Sequence, residues 1–426
     1  YKKPRSNLLS ERGFRCLHDR ARHNLFGQNG FLVKMNRDMM NFDVVVVGGG
    51  LAGASLAVAL QATRLKVALV EVRVPVFPPG LDQRVYAISP ASQRFLSRIG
   101  AWDRLDRARM CSVREMDIHG DDGGHLRFSS HDAGLVELAW IVESSLMLSE
   151  LWETIKRQHN VTLLCPAVCS TLRVETDAAT LSLADGRVLR ARLVVAADGA
   201  NSWVRQHAGI GADLHPYGQH AVVANFATER PHGQTAYQWF RKDGIVALLP
   251  LGEQVVSLVW SCRDALAEQL SELDDVAFCE RVREASGGVV GGLRLLSARA
   301  TFPLRLMRVD KVVKPRVALI GDAAHAIHPL SGHGINLGFG DVDVLARQLE
   351  SLAPWEDPGD LAMLRRYERA RAEEPLLLQY ATHALNRLFG TESSAVSHLR
   401  NLGMNLTSGL PVLKDALVRY ATLGHF

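Results

Sequence analysis

The sequence predicts an α/β fold built around a mostly parallel sheet, with a second, antiparallel sheet inserted into it. The parallel sheet is predicted from three apolar runs. Each is continuous, largely β-branched or aliphatic, and ends at glycine or aspartate; the runs span residues 42–47, 194–197 and 317–320. Such runs are typical of parallel strands that are buried on both faces. Between the second and third strands, residues 221–261 alternate in polarity, which is typical of antiparallel strands.

Composition and charge exclude several classes of protein. The chain has 426 residues, of which 47% are hydrophobic and 22% charged, so it is long enough for one large or two ordinary globular domains. The net charge of +4 originates in the first forty residues, where nine basic residues accompany three acidic ones; the rest of the chain has 40 basic and 42 acidic residues. The folded body is therefore not predicted to bind nucleic acid. Glycines interrupt the apolar stretch 44–60, so we predict no transmembrane helix there.

Residues 1–40 are predicted to lie outside the folded body, since they show no sustained periodicity. Two interpretations stay open for this stretch. It is a disordered or non-native extension upstream of a start at Met35, Met39 or Met40, or it is a mitochondrial presequence, since five arginines lie between residues 5 and 22. The stretch has no convincing amphipathic stripe, which favours the first interpretation.

A glycine-rich turn follows the first strand and predicts a dinucleotide site. Gly48, Gly50 and Gly53 form the pattern G-x-G-x-x-G between the strand at 42–47 and an apolar helix at 54–60. In the Rossmann arrangement these glycines permit a tight turn, a close approach of the pyrophosphate and close packing of helix on strand. A second strand at 66–70 ends in Glu71, whose carboxylate suits the adenosine ribose hydroxyls and disfavours NADP in this position. The turn alone does not distinguish NAD from FAD.

Two further strands each lead to a carboxylate. The strand at 194–197 is followed by Asp198 and Gly199, and the strand at 317–320 by Gly321 and Asp322. Ligands in open α/β sheets bind beyond the carboxyl ends of the strands, so both aspartates are candidate ligand-binding residues. A glycine-rich stretch at 332–338 then leads into a predicted helix at 335–350.

In this order, the three motifs resemble those of the flavin aromatic hydroxylases of the para-hydroxybenzoate hydroxylase type, and most closely the ubiquinone-biosynthesis hydroxylases. The stretch 82–89, Asp-Gln-Arg-Val-Tyr-Ala-Ile-Ser, is similar to a further motif of that group, and the resemblance covers residues 43–374. It implies an FAD-binding Rossmann-like domain of the GR2 type, with FAD as cofactor, NADH or NADPH as transient reductant and O₂ as co-substrate.

The resemblance also implies roles for individual residues. Arg84 would reach the FAD phosphates or the flavin face, and Asp322 would hydrogen-bond the ribityl chain. The backbone of Gly334, Ile335 and Asn336 would stabilise negative charge at the N1–C2=O edge of the flavin. The other implied cofactor-binding residues are Gly48, Gly50, Ala52, Gly53, Glu71, Val168, Asp198, Gly199 and Gly321. The candidate catalytic residues are Pro329, through its carbonyl, and His333.

Two positions depart from the family pattern. The family commonly has glutamine at the position of His333 and arginine at the position of Gly340. His333 is either a spacer with a solvated ring or a group that titrates near neutral pH and tunes flavin reduction. Without the arginine, an ion pair with Asp341 is expected to be absent, which puts the packing of the local helix in doubt.

No metal site is predicted. His325, His328 and His333 lack the spacing of a helical ligand pair, and Cys165 and Cys169 lack two further ligands at a matching spacing. The six cysteines of the chain are scattered, as in a reduced intracellular protein.

The domains are predicted to be assembled from separate segments. The FAD-binding domain comprises residues 41–112, 139–212 and 310–375, and the substrate domain comprises 113–138 and 213–309, as an antiparallel sheet over the reactive edge of the flavin. Residues 376–426 are predicted to form C-terminal helices, and an apolar stripe that includes Leu377 is expected to pack on the flavin domain. A surface that docks on a membrane or a partner is the alternative.

The resemblance implies a monooxygenase that hydroxylates the aromatic ring of a polyprenylated phenol in ubiquinone biosynthesis. Two alternatives stay open: a flavin-dependent reductase or epoxidase of an isoprenoid, and a non-catalytic flavin-binding subunit of a biosynthetic complex. A halogenase is disfavoured because the segment W-x-W-x-I-P is absent. We expect a cytoplasmic protein and leave open peripheral membrane association, complex association and homo-oligomerisation; the mitochondrial matrix is less favoured.

Overall fold

Two large sheets and one small sheet organise the fold. The structure, a computed structural model, describes residues 39–77, 80–121, 123–326 and 334–390, and these residues belong to one compact unit. The expectations for residues 1–38 and 391–426, and those for Pro329 and His333, lie outside the described residues. The division of the chain into a flavin domain and a substrate domain stays a prediction.

The described residues form twenty strands and nine α-helices. The strands are β1 (Met39–Val47), β2 (Val67–Val70), β3 (Val85–Ile88), β4 (Met110–Val113), β5 (Glu115–His119), β6 (His125–Ser129), β7 (Ala139–Glu143), β8 (Val161–Leu164), β9 (Cys169–Val174), β10 (Ala179–Leu183), β11 (Val188–Ala196), β12 (Ala212–Thr228), β13 (Thr235–Arg241), β14 (Gly244–Pro250), β15 (Val255–Arg263), β16 (Leu293–Leu295), β17 (Ala300–Val309), β18 (Val313–Lys314), β19 (Val317–Leu319) and β20 (His325–Ala326). The helices are α1 (Leu51–Ala59), α2 (Pro90–Arg98), α3 (Ser144–Ile155), α4 (Trp203–His207), α5 (Asp264–Glu272), α6 (Asp275–Ala285), α7 (Gly334–Glu350), α8 (Leu361–Ala370) and α9 (Glu373–Gly390).

The first large sheet is the predicted parallel sheet. Its strand order is β18-β19-β11-β1-β2-β8, with β10 beside β11 and β9 beside β10. The four pairings from β19 to β8 are all parallel, so the carboxyl ends of five strands meet at one edge. The α/β fold class is confirmed.

The continuous apolar run of β1 follows from burial on both faces of this sheet. Val44 and Val46 belong to a core with helices α1, α3 and α7, whereas Val45 and Val47 belong to a second core with strands β9–β11. All four side chains are buried. Since side chains alternate between the faces of a strand, both faces require apolar residues and no polar alternation remains.

The second large sheet corresponds to the predicted inserted sheet. Its strand order is β20-β17-β12-β15-β14-β13-β5-β6, with β16 beside β12. The sheet is antiparallel except where β13 pairs in parallel with β5. Strand β12 has 17 residues and starts well before the predicted residue 221, because the irregularity between Pro216 and His220 shifts the register without ending the strand.

One strand begins later than expected. The predicted substrate-domain segment starts at residue 113, but β5, the strand of this segment that joins the inserted sheet, starts at Glu115, and Arg114 separates it from β4. Strand β4, which ends at Val113, pairs with β7 in a three-stranded sheet of order β3-β7-β4, and only β5 and β6 extend the large sheet. A local polarity pattern does not tell to which of two adjacent sheets a strand belongs.

The last described helix packs differently from the expectation. Helix α9 is present, but the side chain of Leu377, in the predicted buried stripe, is 51% exposed. Gln379 is buried instead: its Nε2 donates to the Met307 carbonyl at 3.0 Å and its Oε1 accepts from Arg308 Nε at 3.0 Å. The contact is therefore polar and involves β17 of the second sheet. Among the described helices, none combines the length and apolar character needed to cross a bilayer.

Candidate active site

The three sequence motifs meet at the carboxyl edge of the parallel sheet. The Ala197 amide donates to the Val47 carbonyl at 2.8 Å, and the Ile320 amide donates to the Ala196 carbonyl at 3.0 Å. Each bond joins the end of one motif strand to the end of the next. Gly48, Asp198 and Asp322 therefore follow three adjacent strands, although 274 positions separate the first from the last in the chain.

The glycine turn has the geometry that its sequence predicts. Gly48 has φ of +105°, and a Cβ atom there would lie 2.3 Å from the Ala197 carbonyl oxygen. A Cβ on Gly53 would lie 1.9 Å from the carbonyl oxygen of Gly48, so helix α1 packs against the turn more closely than any side chain allows.

Gly50 borders open space at the amino terminus of α1. Apart from its chain neighbours, no atom of the described residues lies within 4 Å of the position that its Cβ would take. The first turn of α1 contains no acidic residue, and no side chain caps it, so its free N–H groups can donate hydrogen bonds to an anion. This arrangement fits the pyrophosphate of a dinucleotide such as FAD, and Ala52 lies in the same turn.

Glu71 lies beside the glycine turn but already has two backbone partners. Its Oε2 accepts from the Gly49 amide at 2.6 Å and its Oε1 from the Arg73 amide at 3.0 Å. Each carboxylate oxygen keeps a further lone pair for a ribose hydroxyl. Val168 follows β8 at the same edge of the sheet, and its side chain is exposed there. The ribose role of Glu71 and the role of Val168 stay predictions.

Asp198 binds the segment that follows it. Its carboxylate accepts from the Ser202 hydroxyl and, at 3.0 Å, from the Val204 amide at the start of α4. Gly199, with φ of +82°, lets the chain turn between the strand and this helix. Asp198 therefore fixes the α4 turn in this structure, and its contact with FAD or a nicotinamide nucleotide stays a prediction.

Arg205 connects the second motif to the third. This buried side chain donates to the Ala323 carbonyl at 2.9 Å and to the Ala200 carbonyl at 2.9 Å. The first bond fixes the backbone next to Asp322. A buried guanidinium that bridges two loops holds both at a defined distance.

Asp322 follows β19 at the carboxyl edge of the parallel sheet. Its side chain is accessible to solvent, yet protein surrounds it closely enough to affect ionisation. Burial raises the pKa of Asp322, and the positive charges of His325, Arg84 and Arg305 oppose this rise. A solvated carboxylate among cations suits hydrogen bonds to hydroxyl groups, as the ribityl role requires. The preceding Gly321 has φ of +59°.

Arg84 borders a cavity of about 210 Å³ close to Asp322. Its guanidinium stacks on the Phe302 ring at 4.6 Å from the centroid, and Phe302 also lines the cavity. Tyr86 lies in β3, two residues after Arg84. Burial raises the pKa of Tyr86, Arg84 opposes the rise, and Asp322 adds to it, so the phenol stays a neutral donor at neutral pH.

The start of helix α7 joins the site to strand β3. Asn336 Oδ1 accepts from the Ser89 amide at 2.9 Å, and its Nδ2 donates to the Ala87 carbonyl at 2.8 Å. The side chain therefore holds the end of β3 against α7. Among the described residues, no atom lies within 4 Å of the position that a Cβ on Gly334 would take, so the first residue of α7 borders open space there. Its role beside the flavin stays a prediction.

Asp341 does have an ion pair, contrary to the expectation drawn from Gly340. Its buried carboxylate accepts from Arg371 Nε at 2.8 Å, from His325 Nε2 at 2.7 Å and from the Gly321 amide at 2.9 Å. A Cβ on Gly340 would lie 2.9 Å from Arg371, so glycine at this position makes room for the guanidinium. Arg371 thus supplies from the end of α8 the charge that was expected to be absent.

Three residues of this region were missed by sequence reasoning, for different reasons. Tyr86 was visible in the stretch 82–89 as the hydroxyl residue two positions after Arg84. Arg305, which donates to the Asn201 side chain at 3.0 Å, and Arg371 come from distant segments without a motif. Nothing in their local sequence distinguishes them from the other arginines of the chain.

Comparisons with known proteins identify the family of this chain. The family described as FAD binding domain matches residues 41–375. Ubiquinone hydroxylase UbiL of Rhodospirillum rubrum is 36% identical over 384 residues, which cover 89% of each chain. The 3-demethoxyubiquinol 3-hydroxylase of Escherichia coli is 32% identical over 383 residues, covering 89% of this chain and 98% of that one.

Solved structures share the fold. PqsL, a probable FAD-dependent monooxygenase from Pseudomonas aeruginosa, matches with a TM-score of 0.71 and 24% identity over 86% of this chain and 100% of that one. A single-residue variant of HpxO from Klebsiella pneumoniae, complexed with FAD, matches with a TM-score of 0.71 and 17% identity over 90% and 99%. With the family match over most of its length, the chain belongs to the FAD-binding-domain family, in the group that contains the ubiquinone-biosynthesis hydroxylases and monooxygenases.

Proposed function

We propose that this protein is an FAD-dependent monooxygenase that hydroxylates the aromatic ring of a polyprenylated phenol in ubiquinone biosynthesis, using NADH or NADPH and O₂. The observation that carries the proposal is the meeting of Gly48, Asp198 and Asp322 on adjacent strand ends beside open space. Two ubiquinone-pathway hydroxylases at 32% and 36% identity indicate the substrate class.

The residues of the cleft divide the binding of FAD among them. The free N–H groups at the start of α1 would hold the pyrophosphate, Asp322 the ribityl hydroxyls and the start of α7 the flavin edge. When bound, FAD accepts hydride from the nicotinamide nucleotide and activates O₂, so that one oxygen atom reaches the ring. The protein contributes orientation of the ring and exclusion of water.

The proposal is tested with purified protein in three steps. A flavin absorbance spectrum after gentle purification identifies the cofactor class. Oxidation of NADH or NADPH that depends on an added polyprenylated phenol distinguishes an enzyme from a non-catalytic flavin-binding subunit. The mass of the product and of its fragments then identifies the chemistry. A gain of two hydrogens indicates a reductase, and a gain of one oxygen indicates an oxygenase. Fragments that place this oxygen on the ring support hydroxylation, and fragments that place it on the prenyl chain indicate an epoxidase. Complementation of quinone-deficient cells tests the pathway.

A membrane-peripheral location in the cytoplasm is part of the proposal, because the substrate class is strongly apolar. Leu376, Leu377 and Tyr380 of α9 have exposed side chains on one short stretch, and such groups can enter a lipid interface. Co-sedimentation with vesicles tests this point, and protein that stays entirely in the supernatant contradicts it. Homo-oligomerisation and association with a biosynthetic complex stay predictions.

A further inference from the structure

The β5–β6 hairpin carries a cluster of side chains that the flavin motifs do not explain. Strand β6 lies at the edge of the second sheet, and residues 120–124 connect it to β5. Asp117 and His119 are two residues apart on β5, so they share a face. His125 lies directly opposite His119 in the antiparallel register. All three side chains therefore project from one face of the hairpin.

The cluster brings three potential metal ligands together. Asp117 Oδ1 lies 2.6 Å from His125 Nε2 and 3.2 Å from His119 Nε2. One ligand atom from each residue lies within 4.8 Å of the other two. A tetrahedral ion with bonds of about 2.1 Å separates its ligands by about 3.4 Å, so small side-chain rotations suffice to bind one.

Neighbouring side chains orient the two imidazoles. The His119 ring stacks on the Trp239 ring, with 5.6 Å between centroids and 8° between planes, and on the His125 ring at 5.0 Å. Trp239 stacks in turn on Tyr237. Such packing restricts rotation of the rings before an ion arrives, which reduces the entropy cost of binding.

The charges around the cluster also suit a cation. Arg127, which lies opposite Asp117 in the hairpin, is paired with Glu115, so Glu115 neutralises its guanidinium.

We propose that Asp117, His119 and His125 bind one divalent transition-metal ion, such as Zn²⁺. Two imidazole nitrogens and one carboxylate oxygen suit Zn²⁺, Co²⁺ or Ni²⁺, whereas Mg²⁺ and Ca²⁺ prefer ligand sets made of oxygen. Water completes the coordination. The ion bridges the edge strand β6 to β5 and stabilises the exposed end of the sheet. The site is independent of the proposed oxygenase reaction.

The test uses FAD-loaded protein without a histidine tag, treated with a chelator and then desalted. Co²⁺ is added and its d–d absorbance is followed, and Zn²⁺ is then added as a competitor. We expect one Co²⁺ per chain with a spectrum of low coordination number, displaced by Zn²⁺. His125→Gln and Asp117→Asn are each expected to weaken the affinity at least about ten-fold, since loss of a ligand outweighs loss of an outer-shell partner.

His215→Gln is the matched control. His215 forms an exposed pair with Asp213 at 2.8 Å, and this pair offers one imidazole and one carboxylate. Its substitution should leave Co²⁺ binding unchanged, and an unaltered flavin spectrum verifies that each variant is folded. Equal affinity of the wild type and His125→Gln, or no d–d band in the wild type, overturns the proposal. The two histidines then serve only as hydrogen-bond partners of Asp117.

Discussion

At the scale of single residues, substitutions at Gly50 and Gly53 should distinguish an effect on cofactor binding from an effect on folding. Gly50 has φ of −69° and faces open space, so Gly50→Ala should change the unfolding free energy of the apoprotein by less than about 0.5 kcal/mol. The new methyl group occupies the proposed pyrophosphate position, so FAD affinity should fall about ten-fold or more.

Gly53→Ala places Cβ against the Gly48 carbonyl and should destabilise the apoprotein by about 1–3 kcal/mol. Apoprotein denaturation and quenching of FAD fluorescence measure the two effects; unchanged FAD affinity in Gly50→Ala contradicts the assignment.

Arg371 and Arg98 offer a buried and an exposed ion pair on the same helix α7. Arg371→Met leaves the buried Asp341 with one cationic partner, so we expect destabilisation by about 3 kcal/mol or more. Arg98 pairs with Asp343 at 2.6 Å, where both side chains are 28% exposed, so Arg98→Met should cost about 1 kcal/mol or less. Urea denaturation of both variants compares the two. Equal losses of unfolding free energy in the two variants would indicate that the contribution of the Asp341 ion pair to stability does not depend on its burial.

The same network predicts how stability depends on pH. Burial disfavours the imidazolium of His325, but the Asp341 carboxylate outweighs burial and raises the pKa of His325. The resulting stabilisation is fully present below the unfolded pKa of about 6.5 and is lost as pH rises through the folded pKa. The difference in unfolding free energy between the wild type and His325→Gln should therefore shrink as pH rises from about 6. A difference that stays constant or grows over this range contradicts a protonated His325.

At the scale of elements, the sequence predicts where strands lie better than it predicts which strands pair and which helices cover them. The parallel strands were predicted because burial on both faces leaves continuous apolar runs, as in β1. Helices α5 and α6 were not predicted, because they cover one face of the second sheet and their apolar residues are few. Arg114 separates β4 from β5, and these two strands belong to different sheets. No local propensity indicates this change of sheet. In the site, residues within motifs were predicted, whereas Arg305 and Arg371 reach it only through the tertiary fold.

Helix α3 supports the glycine turn through one side chain. Trp152 is buried and its Nε1 donates to the Gly49 carbonyl at 2.8 Å. Trp152→Phe removes this donor and leaves a cavity, so we expect destabilisation by about 1–3 kcal/mol together with weaker FAD binding. Trp355→Phe is the control, because this indole is 85% exposed and should affect neither quantity. Thermal unfolding and FAD titration measure both; full FAD affinity in Trp152→Phe would show that the turn does not depend on α3.

At the scale of the whole molecule, the chain passes between the two large sheets several times. The first sheet takes its strands from residues 39–70, 161–196 and 313–319, and the second from 115–129, 212–309 and 325–326. Neither sheet is therefore made from one continuous segment. Residues from both surround the cleft, since Phe302 of β17 stacks on Arg84 beside Asp322. FAD bound in this cleft should stabilise both sheets together.

Heating the apoprotein with and without FAD tests this coupling. FAD at 100 times its dissociation constant adds about 2.7 kcal/mol to the unfolding free energy, provided that it binds only the folded chain. For a chain of this size the midpoint should rise by a few degrees, on the order of 2–4 °C. Because the interleaved segments cannot separate without unfolding the cleft, one transition should shift as a whole. Intrinsic tryptophan fluorescence, to which Trp152 beside the first sheet and Trp260 of the second both contribute, and far-UV circular dichroism should both report it. A transition of the second sheet that stays at its apoprotein midpoint while flavin release moves upward would mean that the two sheets unfold independently, and that the cofactor stabilises only the parallel one.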